Sequence, residues 1–368
     1  MDEERQQEIT RRAHSSGRIL IMIVTLVLVA AAFLGYGGEL PRRDQAGDRA
    51  GTSTLAELNP VCVAAAVQSA LVSINAATEP FGPGTAGSGI VLTADGEVLT
   101  SHHVVKGATT VQVADVGDNN VYDAVVLGYD SGADIALLGL PEATELPVAT
   151  IGSSAGLRLR DEVLAIGNAG GTGGMPTAVH GPLTALDSTI VAVNSADLSR
   201  KALSGMLEVA AAVTSGQSGG ALVDRNAAVV GVIAAASGDP LHAGVRPPNG
   251  YAVPIDAAMR VVRQIRSGIP TDTVHIGPTA TLGVLVSNAV PLGTGARVDE
   301  VVAGMPAHIA GLFMGDVIVS VDDQAIATTQ SLRSALHTRK PNDTVRLGIN
   351  GAGGQRTVAV VLAAGPPN

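Results

Sequence analysis

The chain has 368 residues, enough for two or three domains with cores of their own, and 46% of them are apolar while only 2% are aromatic and none is tryptophan. Cores must then be filled by Val, Ala, Leu and Ile, which favours many β-strands over a few aromatic clusters. A formal charge of −10 leaves no basic stripe for a nucleic-acid partner, and a single cysteine with no CxxC or HExxH pattern excludes an intrachain disulfide and argues against a zinc site.

Residues 1–18 carry four acidic and four basic side chains and read as a solvated cytoplasmic head. Residues 19–38 are 20 consecutive uncharged positions, mostly Ile, Leu, Val and Ala. That is the length of a helix crossing a bilayer, and longer than the ~7–15-residue core of a signal peptide. The small-residue cluster Ala30-Ala31-Ala32 keeps cleavage open, but an uncleaved single-pass anchor is the expectation. No second span follows, so the bulk of the chain belongs on one side, outside the cytoplasm. Residues 39–58 are polar and read as a linker.

From 59 to 266, short Val/Ile/Leu runs alternate with Gly, Asp and Asn turns, as in "GSGIVLTADGEVLTS" and "ALVDRNAAVVGVIAAAS". Short strands at regular spacing predict a mainly β sandwich or barrel rather than βαβ units. Within the first of these runs of sequence, Cys62 in "NPVCVAAAVQSALVSIN" reads as a small buried hydrophobe. "IDAAMRVVRQIRSG" has apolar residues at helical spacing and a terminal glycine, so a helix closes this region. Residues 267–278 read as a second linker. Residues 279–365 mix strand-like runs with helical candidates and form an α+β module; in "TTQSLRSALHT", Leu332, Ala335 and Leu336 follow threonines able to cap.

The chemistry-bearing stretch is "TSGQSGGAL", with Ser218 between glycines. A serine nucleophile needs a base within hydrogen-bond reach, and the base needs an orienting acid. Upstream stand His102 and His103 in "LTSHHVV" and Asp134 in "SGADIALL", each punctuating an apolar run. The order His, Asp, Ser is that of double β-barrel proteases. "GQSGG" also satisfies the nucleophile elbow of α/β-hydrolases, but that motif needs a helix directly after the serine, whereas "ALVDRNAAVVGV" reads as strand, turn, strand.

Five ordered motifs, "GSGIVLTADGEVLTSHHVV", "GADIALL", "DEVLAIGNAGG", "TSGQSGGALVDRNAAVVGVIAA" and "NGYAVPIDAAMRVV", resemble the HtrA/Deg family of trypsin-like serine proteases. "LGVLV" with "AGMPAHIAGLFMGDVIVSVDDQAI" resembles the PDZ domain that follows the protease in that family. The resemblance spans about 60–365 and implies two six-stranded β-barrels with the active site between them. It implies Ser218 as nucleophile, His103 rather than His102 as base, Asp134 as the orienting acid, and the N–H groups of Gly216 and Ser218 as an oxyanion hole. Ala212, six positions before Ser218, would give the specificity pocket an apolar floor suited to small or medium aliphatic residues rather than to Lys or Arg. Leu282, Gly283 and Val284 match the loop that grips a peptide's C-terminal carboxylate before the peptide adds as a strand.

The sequence departs from the family pattern at His102, where a second imidazole would crowd the site, and at Ser215, Gln217 and Ala221, which bear on loop rigidity more than on chemistry. "GNAGGTGG" lacks Gly-Lys-Ser/Thr and reads as a mobile loop of the second barrel; with no nucleotide signature, no cofactor is expected. His180, His242, His275, His308 and His337 read as surface or loop residues. The family resemblance implies unfolded polypeptides as substrates and peptide C-termini as PDZ ligands. A homotrimer would draw on an aromatic residue near the start of the protease region, for which Phe81 is the local candidate. The rival reading is a peptide-binding scaffold or chaperone whose protease site is idle.

Overall fold

The computed structural model describes residues 58–78, 84–117, 120–193, 200–236, 249–289 and 293–367. The expected head, span and nearly all of the first linker, together with Phe81 and His242, lie outside these residues. Among the described residues, no helix is long and apolar enough to cross a membrane.

A short helix, α1 (Pro60–Val67), with Asn59 accepting from the Cys62 N–H as its N-cap, leads into the first barrel. Val63 and Val67, one helical turn apart, face inward. Cys62 falls outside that stripe and is exposed, which corrects the expectation that it is buried. The barrel is built from β1 (Leu71–Ala77), β2 (Thr85–Val91), β3 (Glu97–Ser101), β4 (Thr110–Asp115), β5 (Val121–Asp130) and β6 (Ile135–Gly139). All pairings are antiparallel and run β1-β2-β3-β6-β5-β4 and back to β1, so the strands form a ring. A helical turn, α2 (His102–Val105), directly follows β3.

The second barrel comprises β7 (Glu162–Gly167), β8 (Thr177–Val193), β9 (Arg200–Val209), β10 (Ala221–Val223), β11 (Val229–Ala236) and β12 (Gly250–Pro254), closed in the order β10-β11-β12-β9-β8-β7. A strand, β10, therefore follows Ser218, as the double-barrel reading requires and the hydrolase elbow does not. Alternation explains why strands of both barrels read as continuous apolar runs. In β6, Ala136 and Leu138 fill the first barrel, while Ile135 and Leu137 pack with Leu164 and Ile166 of β7 in a shared core. In β7, Val163 and Ala165 turn the other way and fill the second barrel.

Helix α3 (Ile255–Arg266) lays Ile255, Ala258, Val261, Val262 and Ile265 on the shared core. Gly268, at φ +71°, closes its C-terminus by donating to Ile265 O. The following stretch is not simply a linker. β13 (Val274–Ile276) pairs with β5 and buries His275, so the backbone of this stretch finishes the edge of the first sheet. The expectation that His275 is a surface or loop residue is thereby corrected.

The third module begins at β14 (Thr279–Thr281). It has a sheet of β15 (Val284–Asn288), β16 (Ala296–Val301), β17 (Val317–Val321), β18 (Gln324–Ala325), β19 (Thr344–Gly351) and β20 (Gly354–Val361), with helices α4 (Pro306–Ile309) and α5 (Thr329–His337). The expected helix is α5: Thr328 and Ser331 form a reciprocal capping box, and Leu332 and Ala335 are buried. A last strand, β21 (Ala363–Gly365), pairs with β14.

Candidate active site

Asp134 organises the end of β3 and the turn that follows. Its carboxylate takes the His103 backbone N–H at 3.0 Å on one oxygen and lies 2.8 Å from His103 Nδ1 with the other. Its own carbonyl accepts the His102 N–H at 3.1 Å. The residue sits at φ +58°, a conformation that Asp tolerates better than most, and it is buried at the tight 130–134 turn. Burial pushes its pKa up, but the charge and hydrogen bond of His103 pull it down further, and the net shift is downward. For His103, burial pulls the imidazole down, while the Asp134 charge and hydrogen bond raise it more, and the net shift is upward. Both groups are thus biased towards a carboxylate beside an imidazolium.

The Ser218 loop is two tight turns in series. Gln217 N donates to Thr214 O and Gly220 N donates to Gln217 O, and the third residues, Gly216 and Gly219, have φ of +90° and +83°. Positive φ at that position is what a type II turn demands, and glycine meets it without strain. Neither site has room for a side chain. A Cβ on Gly216 would lie 2.3 Å from Asn168 O, and one on Gly219 would lie 2.1 Å from Ser88 O. Among the described residues, the N–H groups of Gly216 and Ser218 have no acceptor.

Backbone and hydroxyl contacts bring this loop against the His103 turn. Ile233 O accepts both the Gly219 N–H at 2.7 Å and the Ser101 hydroxyl at 3.0 Å. Ser88 N donates to Ser218 O at 2.8 Å, and Ser88 Oγ donates to Gly216 O while accepting from Asn168 N. The half-buried Ser218 hydroxyl donates to Ala234 O at 3.4 Å, and among the described residues no hydrogen bond joins it to His103. Catalytic hydrogen bonds are often long or misaligned in ligand-free enzymes and tighten with substrate, so this geometry does not remove His103 as a base.

Several supports were not evident from sequence. Gln217 is 1% exposed; its amide oxygen accepts from Thr214 N at 2.9 Å and its amide nitrogen donates to Thr177 O at 3.2 Å. The side chain therefore ties the serine loop to the start of β8. The glycine-rich "GNAGG" stretch is not free either, since Gly170 N donates to Ser215 O at 2.7 Å. His102 is buried with Nε2 lacking a partner, its ring stacks on Tyr129 at 4.6 Å, and burial lowers its pKa to about 3. It is a neutral packing group beside the His103–Asp134 pair. His180 and His308 are surface residues, as expected, His180 lying 3.3 Å from Glu162.

Ala212 is exposed, between Ala211 and Val213, whose side chains enter the barrel core. In the third module, Leu282 is buried and its carbonyl accepts from Ala307 N. Gly283, at φ +73°, packs on Met305 and donates its N–H to Thr281 Oγ1 at 3.2 Å. Val284 opens β15, which lies at an edge of its sheet.

Residues 87–232 match the family described as trypsin-like peptidase domain, and residues 280–362 match the PDZ domain family. His103, Asp134 and Ser218 all fall within the first match. The chain is 31% identical to the serine protease PepD of Mycobacterium tuberculosis over 385 residues, covering 96% of this chain and 79% of that one. It is 29% identical to the periplasmic pH-dependent serine endoprotease DegQ of Escherichia coli, covering 75% of this chain and 59% of that one. Among solved structures it is similar to the HtrA-type protease AlgW with tripeptide, at 26% identity and a TM-score of 0.48 over 83% of this chain and 98% of that one. The chain belongs to the HtrA family of serine proteases, with a trypsin-like protease domain followed by a PDZ domain.

Proposed function

We propose that this endopeptidase works through Ser218 as nucleophile, His103 as general base and acid, and Asp134 as the orienting carboxylate. The observation that carries the reading is the double grip of Asp134 on His103, with the serine loop tied to the same strand end through Ile233 O. Rotation of the Ser218 hydroxyl away from Ala234 O frees its proton for His103 Nε2 as Oγ attacks the scissile carbonyl carbon. The carbonyl π electrons move to oxygen, and the N–H groups of Gly216 and Ser218 meet the charge that forms there. His103 then hands the proton to the leaving amine, and water repeats the sequence on the acyl-enzyme. Asp134 remains ionised and stabilises the imidazolium throughout.

The substrates are exposed segments of unfolded or damaged proteins, cut after small or medium aliphatic residues because Ala212 offers neither charge nor bulk. The PDZ domain takes peptide C-termini as an added strand on the β15 edge, beside Leu282, Gly283 and Val284. The apolar segment at 19–38 anchors the chain in the membrane with both domains extracytoplasmic, a setting that agrees with periplasmic relatives such as DegQ. The Ser218–Ala234 bond favours a second reading, in which the site rests idle until a ligand turns the hydroxyl. Hydrolysis of unfolded casein by the full chain, lost on Ser218→Ala, supports the first reading; equal hydrolysis by both forms rejects the mechanism. Activity that appears only with an added tail peptide selects the second reading.

A further inference from the structure

We propose that Tyr129 is a positioning residue for His103, and that the PDZ domain acts on the active-site turn through it. The proposal rests on the reading of His103 as the base. Tyr129 lies near the end of β5 and is 1% exposed. Its ring stacks on His102 at 4.6 Å, the residue directly before His103, and on His275 at 5.1 Å. His275 is the cross-strand partner of Tyr129 in the β5–β13 pair, so register brings these rings together. The His275 ring lies 5.1 Å from that of His337, on the PDZ helix α5, and His275 Nδ1 is 3.2 Å from the His337 carbonyl oxygen. The Tyr129 hydroxyl is 3.4 Å from Thr279 Oγ1 on β14. A continuous run of rings therefore joins the first PDZ-side elements to the residue before the base.

The His103 turn needs outside support, because a four-residue helix cannot hold itself. Asp134 grips the turn through His103 and through the His102 N–H. The His102 ring makes no hydrogen bond through Nε2, so packing on Tyr129 helps fix its place. A second, independent tether reaches the same turn: β21 pairs with β14, and two residues beyond it Pro367 O accepts the Gly107 N–H at 2.7 Å. A shift of the PDZ domain therefore bears on both ends of the segment that carries His103.

The test uses the full chain, a short fluorogenic peptide substrate and titration of active sites with a serine-directed probe. Tyr129→Phe keeps the ring and retains the parent kcat per titrated site. Tyr129→Leu lowers kcat about tenfold or more at unchanged KM, as a small misplacement of a catalytic group does. It also moves the acid limb of the pH–kcat profile to lower pH, because His103 loses part of the Asp134 hold that raises it. His275→Leu, at the ring between Tyr129 and His337 of the PDZ helix, has the same effects, and the double variant is no worse than either single one. Parent kcat and parent acid limb in His275→Leu, with only a lower Tm, would overturn the proposal even if Tyr129→Leu failed to fold. Failure of the base assignment would show separately, as activity surviving His103→Ala.

Discussion

Gly219 and Ser101 share one acceptor, the carbonyl of Ile233. Gly219 follows the candidate nucleophile directly and Ser101 precedes the candidate base by two residues. A backbone carbonyl in β11 thus fixes the spacing between two segments more than 100 residues apart in sequence.

Asp134 raises the His103 pKa above its usual 6.5, and a protonated base cannot accept the serine proton. Activity is therefore lost as pH falls through a value above 6.5. A pH profile of kcat/KM between 5 and 9 should show its acid limb there; a limb at or below 6.5 contradicts the pairing.

Asp134→Asn preserves shape but removes the charge and disturbs the imidazole tautomer. In triads of this type the loss is about 10⁴-fold in kcat. Steady-state kinetics should show a fall of that order with modest change in KM. A loss below about tenfold would remove Asp134 from the mechanism.

Gly216→Ala places a methyl 2.3 Å from Asn168 O at φ +90°, so the turn must move. Displacing the two N–H groups it presents should lower kcat by about 10²–10³-fold, the cost of losing an oxyanion donor. Gly156→Ala serves as control, since its Cβ meets nothing within 4 Å. An unchanged kcat in Gly216→Ala places the oxyanion hole elsewhere.

His102 is neutral in the fold down to about pH 3, while in the unfolded chain it protonates near 6.5. The unfolded state therefore gains a proton first, and this group's contribution to stability is present above pH 6.5 and is lost as pH falls towards 3. The slope from one such group is about 1.4 kcal/mol per pH unit within that window. Urea midpoints for the parent should drop between pH 7 and 4.5, and His102→Gln should flatten the drop. Parallel curves for the two proteins would mean that His102 does not titrate as its burial requires.

The candidate triad could be named from the sequence, and the elements with strong local pattern were legible there. Ser218, His103 and Asp134 each break an apolar run, and α3 and α5 carry their own periodicity and caps. What was hidden depends on pairing between distant segments. Nothing local in "DTVHIG" tells that Val274–Ile276 completes the β5 edge and buries His275 against Tyr129. Gln217 looks like a loop residue until Thr177, on another strand, supplies an acceptor for its amide. Cys62 misled because an apolar composition hides which face of a short helix points outward.

Mapping a fluorophosphonate adduct on the full chain by mass spectrometry decides whether Ser218 is the nucleophile that His103 activates. A single adduct on Ser218 is predicted, formed faster as pH rises through the His103 pKa and abolished by His103→Ala. An adduct on another serine, or undiminished labelling of Ser218 in the His103→Ala protein, would contradict that role.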